Sequence, residues 1–367
     1  MVDLAKTHDD VVLPHSRKFK LPPRDFDARA ASDRDLVLYG IPRRPNPETH
    51  PVLAAKWSRL AAQRFEFIQP ELQTAPFERH INLALIERRR LLREELARYD
   101  AKELIRDRGQ LLFDLTKFLD STQAVISDVR TDLSALLALL PETSENWSGG
   151  YVKRPVAQPI VTVTGQWNVP SANPPWSART ANGFADGTYL CLAWVGIDGT
   201  AGSTDVLQAG TGSQALVQGG KFVSTRFFAF VEWFSLPWST IVNFPVQVGD
   251  QISCTVCAPF AATNGSAIFN NLTSGLTTSI PINPPSGTSL SGNVAEWIVE
   301  DPSTLPDHKP YPFPNYGSTF FTGCAAGTKS FELNLSSGKE IDMVQGGVTL
   351  SSGVIQNKST LWCHDGP

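Results

Sequence analysis

The second half of the chain alternates short apolar runs with turn residues, and this rhythm limits the possible folds more than any other feature. After Asn146 the runs are rich in Val, Ile, Phe and Thr, and Gly, Pro, Asn and Asp separate them. Such spacing is typical of an antiparallel β-sandwich or jelly roll. The strands are predicted within Ile160–Val163, Tyr189–Ile197, Phe227–Phe234, Ile252–Cys257, Ser266–Phe269, Ala295–Val299, Ser318–Thr322 and Phe331–Leu335.

The composition changes sharply near residue 140. Residues 1–140 contain 23 Lys+Arg and 21 Asp+Glu, whereas residues 141–367 contain only 9 and 15. The second part also holds eight of the nine tryptophans. Two parts that differ this much are expected to form separate structural units.

The first part is predicted to be α-helical after a poorly ordered start. Residues 1–50 combine mixed charges with prolines, which favours irregular structure. A helix is predicted to begin near Pro51, and the helical region is expected to cover residues 51–141. Apolar residues from Leu104 to Leu139 follow heptad spacing. Two roles stay open: a coiled-coil arm that forms homo-oligomers, or a prosegment that covers a cleft.

Charge and hydropathy argue against two classes of partner. The second part carries a net charge of −6 (9 − 15), and binding to nucleic acid requires clustered positive charge. No apolar run approaches the ~20 residues that span a bilayer. The first 30 residues lack the apolar core of a secretory signal. We therefore expect no nucleic-acid or membrane partner and leave localisation open.

The residues for several common active sites are missing from the sequence. It contains no Gly-X-Ser-X-Gly elbow, no HExxH motif and no phosphate-binding glycine loop. Cys254 and Cys257 are spaced like a metal pair, but residues three apart on a strand face opposite ways. We expect ordinary packed cysteines, no metal site and no cofactor.

Carboxylates within strand-like runs are the remaining candidates for chemistry. In Ala295-Glu-Trp-Ile-Val-Glu-Asp301, alternation places Glu296 and Ile298 on one face of the strand and Trp297 on the other. Burying a charged group without a partner is costly, so an acid in such a run suggests catalysis. Glu232 and Asp198 lie in similar runs beside tryptophans. The simpler interpretation of each is an acid on a solvated sheet face.

Six motifs in order resemble those of the glutamic peptidases, the eqolisins, over residues 145–350. They are Asn146-Trp-Ser-Gly, Trp194-Val-Gly-Ile-Asp-Gly199, Asp205-Val-Leu-Gln-Ala-Gly210, Val231-Glu-Trp-Phe234, Val248-Gly-Asp250 and Ala295-Glu-Trp-Ile-Val-Glu-Asp301. The resemblance implies a concanavalin-like sandwich peptidase domain over residues 145–367, a polypeptide substrate and a secreted protein. The family's better-known members, however, have an export signal and a different amino-terminal region.

The resemblance also implies residue roles. The catalytic glutamate and glutamine of the family fall on Glu296 and Gln208. Trp194, Asp198 and Glu232 match motifs that line or support the cleft. Trp147 and Trp233 are expected to contact substrate or to pack in the core.

Chemistry agrees with the implied pair. A glutamate can take a proton from water and return it to the departing amine, and a side-chain amide can donate to the oxyanion. An ordinary glutamate pKa of about 4.3 predicts an acidic optimum.

Two alternatives compete with the peptidase. A glycoside hydrolase could use Glu232 and Glu296, which requires the two carboxyls ~5–5.5 Å apart in a retaining mechanism. A non-catalytic, lectin-like module on a helical stalk is the other, because a fold does not fix a function.

Overall fold

The computed structural model describes residues 18–74, 141–155, 158–200, 205–234, 236, 238–258, 264–285, 290–303 and 310–366. Those from 18 to 74 and from 142 onward belong to one compact unit. The helical prediction for residues 75–140, the heptad segment and any oligomer through it lie outside the described residues.

The described residues contain two α-helices, two 3-10 turns and twenty strands. The helices are α1 (Asp33–Leu38) and α2 (Pro51–Ala61), and the 3-10 turns are Trp176–Ala178 and Leu335–Ser337. The strands are β1 (Glu66–Phe67), β2 (Leu72–Thr74), β3 (Glu142–Ser144), β4 (Trp147–Lys153), β5 (Thr162–Asn168), β6 (Arg179–Thr180), β7 (Gly183–Phe184), β8 (Gly187–Asp198), β9 (Val206–Gln218), β10 (Lys221–Trp233), β11 (Ser239–Ile241), β12 (Gln251–Cys257), β13 (Gly265–Asn271), β14 (Leu276–Ile282), β15 (Val294–Glu300), β16 (Ser318–Gly327), β17 (Glu332–Leu333), β18 (Lys339–Gln345), β19 (Val348–Asn357) and β20 (Thr360–Asp365).

Eighteen of these strands form one long ladder that folds over on itself, and β6 and β7 pair as a separate two-stranded sheet. The order of the ladder is β1–β14–β13–β12–β5–β16–β20–β19–β18–β4–β15–β8–β9–β10–β11–β2, with β17 added at β16 and β3 at β18. Only the β1–β14 and β3–β18 pairings in this ladder are parallel. The prediction of a mainly β chain is confirmed, whereas the jelly-roll connection stays a prediction.

Two layers of the ladder share a hydrophobic core. The first layer is β4, β15, β8, β9 and β10; the second is β16, β5, β12 and β13. Trp297 on β15 donates its indole N–H to the Thr164 carbonyl on β5, 2.9 Å away. Trp167 on β5 donates to the Thr211 hydroxyl on β9 at 2.9 Å. These bonds satisfy the polar ends of fully buried rings, so large aromatic residues can fill the core.

The amino-terminal segment is part of this sandwich. The helix predicted from Pro51 is confirmed as α2, and its first turn is held by Glu332, which accepts the Leu53 N–H at 2.8 Å. The expectation of poor order over residues 1–50 needs correction around α1, where Leu36 and Ile41 pack against Ile268 of β13. Apolar residues in that segment find partners in the sandwich that its proline content does not reveal.

The helical prediction for residues 51–141 is wrong at residues 66–74. This stretch forms β1 and β2, which pair with β14 and β11 and so provide both end strands of the ladder. The two edges that would otherwise expose unpaired backbone groups are thereby covered. Pairing with distant strands has overridden the local sequence preference.

The predicted strands after residue 146 are present, although two of them overlap the observed strands only in part. Ile160–Val163 overlaps β5 at its last two residues. Phe331–Leu335 contributes only β17, and a 3-10 turn follows at Leu335–Ser337. All five cysteines carry free thiols, and Cys254 and Cys257 lie three apart on the single strand β12. Burial raises the pKa of the Cys254 thiol, which keeps it in the neutral, packed form.

Candidate active site

A single row of side chains crosses the first layer. Tyr151 on β4 pairs with Glu296 on β15, and Glu296 pairs with Gly196 on β8. Gly196 pairs in turn with Gln208 on β9, which pairs with Glu232 on β10. Directly opposed residues project from the same face of a sheet. We call these five positions the catalytic-face row, and their face is the one opposite the core.

Glu296 and Gln208 are separated by one strand only. At ~4.8 Å between neighbouring strands, their backbones lie about 10 Å apart. The position between them is Gly196, which places no side chain in the gap. Two side chains of this length can therefore approach a common small group from both sides.

Gln208 is oriented by Glu232. The Gln208 amide donates from Nε2 to Oε2 of Glu232 at 2.6 Å. Glu232 is 8% exposed and Gln208 is 3% exposed, so the bond is shielded from solvent. A carboxylate acceptor requires the amide to present its nitrogen. The second N–H of the same nitrogen is then available for another acceptor.

Trp194 forms the floor of the gap. Its indole Cζ3 lies 2.8 Å from where a Cβ on Gly196 would be, so the ring occupies the space beside the glycine. Its Nε1 donates to Oε2 of Glu300 at 2.8 Å. The ring therefore runs along β8 from Glu300 to the gap between Glu296 and Gln208.

Trp147 and Gly199 enclose the carboxylate of Glu296. Trp147 makes an edge-to-face contact with Trp194, with ring centroids 5.1 Å apart. A Cβ on Gly199 would lie 2.9 Å from Cη2 of Trp147 and 3.1 Å from Oε2 of Glu296. Because Gly199 has a φ of +117°, the turn after β8 favours glycine at the position nearest the carboxylate.

Asp198 ties the end of β8 to the start of β15. Its buried carboxylate accepts five hydrogen bonds, from the hydroxyl and N–H of Ser291 and from the N–H groups of Gly292, Asn293 and Val294. Asp198 itself has a φ of +65°, a left-handed conformation that aspartate tolerates better than most residues. The five bonds fix the chain two residues before Glu296.

The structure separates the two tryptophans that the sequence left undecided. Trp147 lies on the catalytic face, as its contact with Trp194 requires. Trp233 lies in the core cluster and is 1% exposed, on the face opposite its neighbour Glu232. The substrate-contact alternative is therefore wrong for Trp233, because adjacent strand residues project to opposite faces.

Sequence reasoning missed Tyr151 and Glu300. Tyr151 is buried beside Glu296 and donates its hydroxyl to Oε1 of Glu142 at 2.6 Å. Burial, followed by that hydrogen bond, raises the pKa of Tyr151, so the phenol stays protonated. Glu300 could have been found by extending the alternation of Glu296 and Ile298 by two residues. Tyr151 carried no such signal, since its closeness depends on strand pairing.

The last residue of the Ala295–Asp301 motif has a structural contact. Asp301 is fully buried, and Gln345 Nε2 donates to its Oδ2 at 2.8 Å. Burial raises the pKa of this carboxyl well above its usual range. It therefore joins the end of β15 to β18 rather than facing the row.

A large cavity lies away from the row. A space of about 1540 Å³ lies between the amino-terminal segment and the outer side of the second layer, and its walls include Lys56, Trp57 and Thr164. Among the described residues, no group of three or more His, Cys, Asp or Glu side chains could hold a metal ion. None of the described helices is both long and apolar enough to cross a membrane.

Comparison with known proteins places most of the β region in one family. The model of the peptidase A4 family matches residues 145–365. Aspergillopepsin-2 of Aspergillus niger is 29% identical over 227 residues, covering 59% of this chain and 77% of that protein. Scytalidopepsin B of Scytalidium lignicola is 31% identical over 156 residues, covering 42% of this chain and about half (51%) of that protein.

A solved structure shares the fold. The crystal structure of scytalido-glutamic peptidase with a transition state analog inhibitor superposes with a TM-score of 0.50 at 24% identity. The match covers 60% of this chain and 98% of that one. With a family model that spans most of the β region, the chain belongs to the peptidase A4 family of glutamic peptidases, and it is a hydrolase that acts as a glutamic endopeptidase.

Proposed function

We propose that Glu296 and Gln208 hydrolyse peptide bonds in polypeptide substrates without a metal or a covalent intermediate. The observation that carries the proposal is their shared row, with only Gly196 between them. A peptide carbonyl above that glycine can meet the carboxylate on one side and the amide on the other. The match of residues 145–365 to the peptidase A4 family supports the same class of substrate.

In the first step, ionised Glu296 takes a proton from a water molecule as the water oxygen attacks the carbonyl carbon. The carbonyl π electrons move to oxygen and form a tetrahedral oxyanion. The Nε2–H of Gln208 that is not bonded to Glu232 donates to this oxygen. One such donor is typically worth about 3–4 kcal/mol of barrier height.

In the second step, protonated Glu296 returns the proton to the amide nitrogen. The C–N bond breaks, the carbonyl reforms, and the products are a carboxylic acid and an amine. Glu296 is ionised again and the cycle closes. A group that both accepts and returns a proton works best when its pKa lies near the ambient pH. Since glutamate ordinarily titrates at about 4.3, we expect the activity to be highest in acid.

Two carboxylates of a glycosidase do not fit this arrangement. Glu232 and Glu296 are three strand spacings apart, or about 14 Å between backbones at ~4.8 Å per strand. Glu232 is also engaged by the amide of Gln208. A retaining glycosidase brings its carboxyls to ~5–5.5 Å.

Casein digestion between about pH 3 and 5 tests the proposal. We expect Glu296→Gln to abolish cleavage and Gln208→Ala to lower it by roughly 10²–10³-fold. Gln214→Ala is the matched control, since Gln214 lies on the same strand and face six residues further on. Near-wild-type digestion by folded Glu296→Gln, or a maximum above pH 7, would contradict the assignment.

A further inference from the structure

We propose that Glu300 is a positioning residue for peptide hydrolysis, acting by holding the Trp194 indole between Glu296 and Gln208. The inference rests on the roles proposed above for those two residues. Glu300 does not reach the reacting atoms, because it lies four residues from Glu296 along β15. At ~3.3 Å per residue, that is about 13 Å along the strand.

Glu300 projects from the catalytic face. It pairs with Trp147 on β4 and with Leu192 on β8. Because it is four residues from Glu296 on the same strand, it projects from the same face of the sheet. It is 8% exposed. A carboxylate buried this far from the reaction is costly unless donors compensate it. Its presence on this face therefore calls for a specific partner.

Two side chains donate hydrogen bonds to Glu300, and one of them, Trp194, lies beside the gap. Trp194 Nε1 donates to Oε2 at 2.8 Å, and Asn146 Nδ2 donates to Oε1 at 3.4 Å. Hydrogen bonds to an ionised acceptor are stronger than those between neutral groups. The short bond to Trp194 is therefore a directional anchor on the indole nitrogen.

The other end of the indole reaches the reaction gap. Cζ3 lies beside Gly196, the position between the two catalytic side chains. A second glycine lies at the base of the side chain, since a Cβ on Gly210 would lie 2.5 Å from the Trp194 Cβ, and Ile298 is the partner of Trp194 on β15. The two glycines leave the angle of the ring to its contacts with other residues. The Glu300 bond and the edge contact with Trp147 are two of these contacts.

An indole that pivots would alter the space available to the scissile peptide. Tilting the benzo edge upward would crowd the gap, and lowering it would leave the carbonyl too far from the Gln208 amide. Either tilt would change the geometry of the transition state more than it would change the binding of the rest of the peptide. Loss of the anchor should therefore lower kcat while changing KM little.

Steady-state kinetics on the full chain with an internally quenched peptide tests the inference. We expect Glu300→Met to lower kcat by roughly tenfold or more, with KM within about threefold. Glu300→Gln should recover most of kcat, because its carbonyl oxygen can accept the indole N–H. Glu332→Met is the matched control. The Glu332 carboxylate also accepts a partly buried hydrogen bond, from the Leu53 N–H, but it lies away from the row.

A double-mutant cycle with Trp194→Phe decides whether Glu300 acts through the indole. Phenylalanine lacks the N–H donor, so Glu300→Met should cost little more in that background. The inference is overturned if the decreases in kcat from Glu300→Met and Trp194→Phe multiply in the double variant. It is also overturned if Glu300→Gln lowers kcat as much as Glu300→Met does. If Glu300→Met does not fold, Trp194→Phe alone should lower kcat with KM little changed, and an unchanged kcat in that variant overturns the inference.

Glu296→Gln, measured in the same assay, separates the two proposals. Activity in Glu296→Gln refutes the catalytic assignment itself. An inactive Glu296→Gln with multiplicative losses at Glu300 and Trp194 refutes only the positioning role.

Discussion

Glu296 and Gln208 lie in the same cross-strand row, although 88 positions separate them in the sequence (296 − 208). The intervening strand contributes Gly196, and the strand beyond Gln208 contributes Glu232. Four adjacent strands thus bring a carboxylate, an empty position, an amide and a second carboxylate into one line.

Replacing Gly196 with alanine should impair catalysis without unfolding the chain. The added methyl would lie 2.8 Å from Cζ3 of Trp194 and would project into the gap between Glu296 and Gln208. We expect kcat/KM to fall by roughly 10²-fold, a change typical of a misplacement near 1 Å. Gly327→Ala is the matched control, because its methyl would meet Leu53 Cδ1 at 2.9 Å on β16, away from the row. Equal kinetics in the two variants would refute the role given to Gly196.

Shortening Glu232 should disorder the amide of Gln208. The 2.6 Å bond fixes which way the amide points, and a hydrogen bond to a charged group is worth about 1.5–3 kcal/mol. We expect kcat to decrease by roughly 10- to 100-fold in Glu232→Ala and less in Glu232→Gln, which retains an oxygen acceptor. Stopped assays with a chromogenic peptide measure kcat for the wild type and for both variants, and so give their ranking. If Glu232→Gln is worse than Glu232→Ala, the carboxylate has a different role.

Removing the Asp198 carboxylate should loosen the start of β15. Asp198→Ala leaves the N–H groups of Gly292, Asn293 and Val294 without their acceptor, at a cost of at least ~3 kcal/mol. Amide hydrogen exchange should accelerate at residues 291–294, together with a lower Tm. Asp186→Ala is the comparison, because Asp186 accepts two backbone N–H groups while exposed to solvent. A similar decrease in Tm in both variants would argue against a special stabilising role for the buried Asp198 carboxylate.

Lys56 should make stability depend on pH above neutrality. Lys56 on α2 is 4% exposed, and its Nζ has no hydrogen-bond acceptor within the part of the chain that the structure describes. Burial lowers the pKa of Lys56 to about 7, against 10.5 for the ordinary side chain. Between these values the unfolded chain binds more protons than the folded one, so stability rises with pH across that window. Below about pH 7, Lys56 is protonated in both states, and the folded chain bears the full free-energy cost of burying the charged amine.

The variant Lys56→Met should therefore stabilise the chain by several kcal/mol at neutral and acid pH, at ~1.4 kcal/mol per unit of pKa shift. The gain should fade as the pH approaches 10.5, where both states of the wild type are neutral. Urea unfolding at a series of pH values measures the difference. Arg59→Met, on the exposed side of the same helix, should show no such dependence. A gain that is constant with pH would contradict the buried-amine explanation.

Local pattern was enough to predict the strands and the faces of their residues. Alternation along Ala295–Asp301 placed Glu296 opposite Trp297, and the structure confirms it, with Trp297 in the core cluster. The same rule, applied to Val231–Phe234, would have separated Glu232 from Trp233. These inferences succeed because the side-chain period of a strand depends on backbone geometry alone.

The pairing of strands was decided by tertiary structure. Nothing in the local sequence specifies that Gly196 lies between Glu296 and Gln208, that Glu232 receives the amide, or that residues 66–74 close both ends of the ladder. Register is set by contacts between distant segments, through the packing of buried faces. The sequence therefore determined which side chains could react, and the fold determined which of them meet.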